Sequence, residues 1–243
     1  MNQQNRRLGV VMDPISSIKP VKDSTLAMLL EAQARGWEIR YMEQADLWVR
    51  DGHLRARTRG LTVRDDKTDW FDLDEAVPEP AGDLDVVLMR KDPPFDMEYI
   101  YTTYLLGRAE EAGCLVVNRS NSLRDVSEKA YTMWFAECCP PTLITRSMEE
   151  IRAFLADLGS IVVKPLDGMG GRSIFVVHAG DPNSNVIFET ITESGERFAM
   201  AQQYIKEISE GGDKRILLID GQPYPHALAR IPAPGDNRGN LAV

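Results

Sequence analysis

The sequence predicts an α/β protein in two parts: an N-terminal domain on a parallel sheet, residues 1–128, and a second domain with an antiparallel sheet, residues 129–243. Three observations carry this expectation. The first forty residues read strand, helix, strand, the unit that builds parallel sheets because the crossover helix returns the chain to the same end. Two further apolar runs, "LDVVLMR" and "CLVVN", flank a long helical stretch. After residue 160 strand-like runs succeed one another with only turn residues between them, the pattern of an antiparallel sheet.

Taken in order, "LGVVM" at 8–12 reads as a buried strand. Asp23 or Ser24 offers an N-cap to a helix whose apolar face holds Leu26, Leu29 and Leu30, and Gly36 is a suitable stop. "WEIRYM" is the second strand. "LWVRDGHLRART" reads as a hairpin, since Asp51-Gly52 supplies the positive φ angles of a tight turn. "MEYIYTTYLLGRAEEAG" reads as a helix closed by Gly113, and "SLRDVSEKAYTMWF" as another. "TLITR" and "SMEEIRAFLADLG" read as strand and helix, with Ser147 and Glu150 at capping-box spacing. The runs "IVVKP", "SIFVV", "VIFETIT", "RFAMAQQYI", "KRILLID" and "YPHALARI" are expected to be strands of the second sheet.

The totals narrow the function. With 243 residues, 43% of them hydrophobic, the chain can bury a sizeable core. A formal net charge of −9 argues against nucleic acid as a partner of the whole surface. No apolar run approaches the roughly 18 residues of a membrane span. Asp13 interrupts the first apolar run, so no signal peptide is expected. The odd set Cys114, Cys138 and Cys139, without metal-ligand spacing, points to reduced thiols and a cytoplasmic location.

Between the runs "IVVKP" and "SIFVV" lies a loop with Gly168, Gly170 and Gly171, preceded by Lys164. The lysine comes before the glycines and a strand follows them, so neither the phosphate-loop nor the dinucleotide motif fits. Two readings stand: a hairpin whose bare backbone folds over a polyphosphate, or a flexible hairpin with a solvated lysine. Further cations punctuate the chain: Lys129, Lys214, Arg215, Arg230 and Arg238. "MAQQYI" places polar residues inside an apolar run, as an edge that meets an adenine ring or as an ordinary amphipathic strand. "RKDPPFD" sets Arg90 and Lys91 at the end of a buried strand, and Asp13-Pro14 holds the equivalent position after the first, where ligands gather in α/β sheets.

In order along the chain, "VVMDPI", "LMRKDPPFD", "NSLRDVSEK", "VVKPLDGMGG", "MAQQYI", "GDKRILLIDG" and "ARIP" with "RGNLA" resemble the bacterial-type glutathione synthetases, ATP-grasp ligases, from residue 8 to 242. The resemblance implies ATP-dependent ligation of γ-glutamylcysteine and glycine through an acyl phosphate. It implies that Lys129 and Lys164 bind ATP phosphates and that Gly168, Met169, Gly170 and Gly171 cover them. Gln203, Tyr204 and Ile205 line the adenine site, with Asp213 near the ribose. Arg215 and Arg238 stabilise the acyl phosphate and tetrahedral intermediate, while Arg90, Arg230 and Asn240 contact substrates. Arg172 departs from the family's small residue. The family's sequence continues past Val243 into the segment that carries the Mg²⁺ (or Mn²⁺) ligands. The chain is therefore expected to be truncated, with an incomplete ATP-grasp domain, no metal ligands of its own and activity left open. A homo-oligomer, a tetramer, is implied for full-length members. Another ATP-grasp carboxylate–amine ligase, or a nucleotide-binding fragment without catalysis, is the alternative.

Overall fold

The structure is a computed structural model, and it describes residues 6–232. The chain divides into two compact units, Met1–Val126 and Ser127–Val243.

In the first unit the elements run β1 (Arg7–Val11), α1 (Ser24–Ala34), β2 (Glu38–Met42), β3 (Leu47–Arg50), β4 (His53–Val63), β5 (Phe71–Leu73), β6 (Val77–Pro80), β7 (Val86–Met89), α2 (Met97–Glu111), β8 (Leu115–Val117) and α3 (Ser120–Asp125). Parallel pairs β2–β1, β1–β7 and β7–β8 make the centre of the sheet. The long β4 continues it antiparallel and carries β3, β5 and β6 along its length. β1 is buried on both faces, which is why its sequence is an unbroken apolar run. Val10 packs among Leu26 and Leu29 of α1, and Val11 packs among Leu106 and Ala109 of α2. The expected cap is Asp23, whose carboxylate accepts from the Leu26 N–H at 2.7 Å. Asp51 and Gly52 have φ of 51° and 79°, the hairpin turn read from the sequence.

In the second unit Ala130–Cys138 form a 3₁₀ segment, followed by β9 (Thr142–Thr145), α4 (Met148–Leu158), β10 (Ser160–Pro165), β11 (Phe175–His178), α5 (Ser184–Thr192), β12 (Ala199–Gln203), α6 (Glu207–Gly211), β13 (Asp213–Ile219) and β14 (Gln222–Arg230). The order β11-β10-β12-β9 is antiparallel throughout, and β13–β14 form a separate hairpin. Ser147 caps α4 by accepting from the Glu150 N–H at 3.3 Å, and Gly159 ends it at φ 74°. Helices α4 and α5 cover one face of the four-stranded sheet, with Ile161, Val163, Ala199 and Ala201 beneath Ile151, Leu155, Phe188 and Ile191.

Two expectations are corrected. "VIFETIT" is helical, because Phe188, Ile191 and Thr192 recur three and four residues apart and all three are buried. Its β-branched composition pointed to strand, and packing against the sheet overrode that preference. "SLRDVSEKAYTMWF" is not one helix. It is α3, then a break at Val126 where the two units meet in sequence, then the 3₁₀ segment with a non-helical Phe135. No residue of that segment is buried, so nothing offsets the poor helix propensity of its Tyr, Thr, Trp and Phe.

Candidate nucleotide-binding site

Side chains alternate along a strand, so the face of the four-stranded sheet opposite the helices is spelled by the other residues: Val162 and Lys164 of β10, Met200 and Gln202 of β12, Thr142 and Ile144 of β9. The Lys164 Nζ donates to Gln202 Oε1 at 2.7 Å. Burial depresses the Lys164 pKa, and the neighbouring Lys129 ammonium lowers it further, against the opposing pull of Glu128 and Cys139. Lys129 precedes the 3₁₀ segment; its ammonium donates to the Gly168 carbonyl and pairs with Glu128 at 2.8 Å. The structure thus brings together the two lysines and the glycine loop.

The loop is tied at its start, where Arg197 pairs with Asp167. Gly170 and Gly171 have φ of 66° and 75°, values that side chains rarely adopt. A Cβ on Gly168 would sit 2.8 Å from the Pro165 ring, so this position also needs glycine. The N–H of the exposed Arg172 donates to the Met169 carbonyl at 3.4 Å.

Gln203, Tyr204 and Ile205 lie at the other end of the same strands. Gln203 pairs with Ile161, whereas Lys164 pairs with Met200. The N–H groups of Gln203 and Tyr204 are committed to the carbonyls of Pro141 and Ser160, at 3.0 and 3.1 Å. Asp213 and Arg230 are paired with each other at the open end of the β13–β14 hairpin, where Arg230 Nε donates to Asp213 Oδ1 at 2.8 Å. Arg215 stands exposed on that hairpin. Arg238 and Asn240 lie outside the described residues. In the first unit Arg90 donates to Thr25 Oγ1 and Ser24 Oγ at 3.0 and 3.1 Å. Beside it Asp13 accepts from Lys91 and from the Asp92 N–H, at 2.9 and 2.8 Å. Both groups sit at the carboxyl ends of β1 and β7.

A pocket of about 600 Å³, which no sequence motif marks, is lined by Thr132, Met133, Ala136, Cys139, Thr142 and Ile144 among others. Thr142 and Ile144 extend it onto the Lys164 face. Of its lining residues only Thr132 and Met133 belong to the stretch the sequence suggested as helix. Among the described residues no group of three or more His, Cys, Asp or Glu side chains is placed to hold a metal ion. Nor is any helix there long and apolar enough to cross a membrane.

Comparisons with known proteins agree with this architecture. The family model described as prokaryotic glutathione synthetase, N-terminal domain, matches residues 7–124, and the one described as prokaryotic glutathione synthetase, ATP-grasp domain, matches residues 128–243. The glutathione synthetase of Yersinia pestis is 58% identical over 98% of this chain and 74% of its own length. That of Pseudomonas aeruginosa is 56% identical over the same shares. The chain thus spans about three quarters of the length of these relatives. Among solved structures, D-cycloserine synthetase DcsG superposes with a TM-score of 0.62 at 16% identity, over 93% of this chain and 68% of its own. D-alanyl-alanine synthetase A from Vibrio cholerae gives 0.54 at 11%, over 91% and 66%. At these identities the likeness concerns the fold. With both family models matched end to end along one α/β chain, the protein belongs to the prokaryotic glutathione synthetase family, whose second unit is an ATP-grasp domain.

Proposed function

We propose that the chain serves the ATP-dependent ligation of γ-glutamylcysteine to glycine, through an acyl phosphate, to give glutathione, ADP and phosphate. The observation that carries this reading is the Lys129–Lys164 pair: Lys129 is held against the Gly168 carbonyl of the glycine loop, and its charge lowers the pKa of the neighbouring, buried Lys164. Two partly desolvated ammonium groups repel each other, and a polyanion between them relieves that repulsion. When bound, ATP supplies a phosphoryl group that turns a carboxylate into an acyl donor.

The chain's own residues bind and orient. Lys164 and Lys129 take phosphate oxygens, and the backbone of Gly168, Met169, Gly170 and Gly171 covers them. Adenine lies at Gln203–Ile205, three residues along the strand from Lys164, or about 10 Å at the usual rise. That separation suits a nucleotide laid along β10 and β12. With two N–H groups of Gln203–Ile205 already committed, adenine contacts fall to the remaining backbone groups there. Asp213 is assigned to the ribose. Arg215 and Arg238 are assigned to developing negative charge, and Arg90, Arg230 and Asn240 to substrates, all from the family pattern. No group of three or more His, Cys, Asp or Glu side chains among the described residues fits the Mg²⁺ or Mn²⁺ that the family pattern implies. A cytoplasmic location and a homotetramer accompany the reading, without nucleic acid or membrane as partner.

The test is glutathione formation coupled to phosphate release in a mixture of ATP, Mg²⁺, γ-glutamylcysteine and glycine. Release that requires both acceptor substrates is expected. Turnover with a different dipeptide or amine, and none with this pair, overturns the assignment.

A further inference from the structure

We infer that Gln202 is a positioning residue for Lys164, and that Thr142 sets the orientation of the Gln202 amide through a chain of hydrogen bonds that runs in one direction across β9, β12 and β10. The chain starts at a group with no choice. The Pro140 carbonyl can only accept, and it receives the Thr142 hydroxyl at 2.7 Å. Having given its single proton, the Thr142 oxygen accepts, and it does so from Gln202 Nε2 at 2.8 Å. The amide nitrogen is thereby fixed toward β9, which turns Oε1 toward β10. There it accepts from Lys164 Nζ at 2.7 Å. A flipped amide would set an NH₂ against an ammonium and leave two donors facing each other. The register makes the geometry possible: Gln202 sits directly opposite both Thr142 and Val162, and Lys164 lies two residues along on the same face.

The identity of the acceptor matters for the chemistry. A carboxylate in place of Gln202 would hold Lys164 more tightly, and it would also neutralise it. An amide oxygen fixes the ammonium while leaving its charge for an incoming anion. The charged groups that act on Lys164 are Lys129 and Glu128. Gln202 adds direction without adding charge. The consequence for ATP rests on the nucleotide reading above; the orientation of the lysine does not.

Four variants of the chain test this: Thr142→Val, Thr142→Ser, Gln202→Leu and Gln202→Glu. Two readouts are needed: ATP binding by calorimetry, and the titration of Lys164 followed by NMR of isotope-labelled lysine, assigned with Lys164→Arg. Thr142→Val is expected to weaken ATP binding up to about tenfold, because the released Gln202 amide no longer fixes its charge-assisted contact to Lys164. Thr142→Ser, which restores the hydroxyl, should bind like wild type. Lys164 should lose its proton at lower pH in Thr142→Val and Gln202→Leu. In Gln202→Glu it should do so about one pH unit or more higher while ATP binds more weakly. Wild-type titration and ATP affinity in both Thr142→Val and Gln202→Leu would overturn the inference, as would equal losses in Thr142→Val and Thr142→Ser. If Thr142→Val does not fold, Gln202→Leu carries the comparison. If the wild-type chain binds no ATP, the nucleotide reading fails. The Lys164 titration then decides this inference alone, with an unchanged midpoint in folded Gln202→Leu overturning it.

Discussion

Lys164 combines three properties that a sequence shows only in part. It ends a buried strand, it neighbours a second cation, and its acceptor is neutral. Lys164→Ala is expected to lower kcat/KM for ATP about tenfold or more, since hydrogen bonds to charged groups carry ~1.5–3 kcal/mol. Steady-state kinetics at saturating γ-glutamylcysteine and glycine check this, and unchanged values would remove Lys164 from the site. Because its pKa lies below the ordinary lysine value, its charge is lost earlier as pH rises. ATP affinity should therefore fall at a lower pH than an ordinary lysine would dictate. The cysteines divide by environment in the same way. Burial pushes the Cys114 thiol up to about 11, while Cys138 is exposed. A maleimide at neutral pH should label Cys138 quickly and leave Cys114 unmodified until the protein unfolds, as peptide mapping would show. The sequence left Lys164 two readings, a phosphate-facing lysine or a solvated one on a flexible hairpin, and the structure sets it beside Lys129 with Gln202 as its acceptor. The pairing of Gln202 with Thr142 was not legible, because their bond depends on which residues face each other across β9 and β12, and register is absent from a linear string.

At the scale of elements, β6 is held to the sheet by more than its ladder. Glu79 accepts from Arg40 Nε at 3.0 Å, and it also pairs with Arg7 and the Thr58 hydroxyl. Burial alone would raise its pKa, but the Thr58 hydroxyl and the two arginines bring it below the ordinary value. Its folded value is thus lower than its unfolded one. The resulting stabilisation is present above the unfolded carboxylate pKa and is lost as pH falls through the folded value. Glu79→Ala leaves two largely buried guanidinium groups without this partner and should cost about 3 kcal/mol in chemical denaturation at neutral pH. The cost should shrink as pH falls below the ordinary glutamate value of 4.5, and a pH-independent cost would argue against the ionic account. This network joins β1, β2, β4 and β6, and the sequence reading did not see β6 at all. "VPEP" has two prolines, which demote a strand unless it lies at an edge. The helix α5 was missed for the opposite reason: "VIFETIT" has strand composition, and only the three- and four-residue spacing of Phe188, Ile191 and Thr192 betrays its period. Where spacing and capping agreed, as at Ser147 and Gly159 around α4, sequence and structure coincide.

At the scale of the whole molecule, apolar packing among the described residues falls into two clusters in the first unit and one under α4 and α5 in the second. Phe188 is fully buried in the last of these. Phe188→Ala should destabilise the second unit by about 3–5 kcal/mol. Hydrogen exchange should show β10 and β12 amides losing protection while β1 and β7 keep theirs. Loss of protection in both would mean that the units unfold as one. The sequence puts the change of domain between residues 128 and 129, and the chain passes from one compact unit to the other after Val126. The alternation along β10 also governs which genetic lesions the protein can survive. Ile161 and Val163 point to the helices and Lys164 to the opposite face, so the position of the lysine is a matter of odd and even. Removing one codon between Ile161 and Lys164 would turn the ammonium into the apolar layer and leave the remaining valine facing out of it. Removing two would shorten the strand yet restore its sidedness, so in a library of small deletions paired losses should survive where single ones fail.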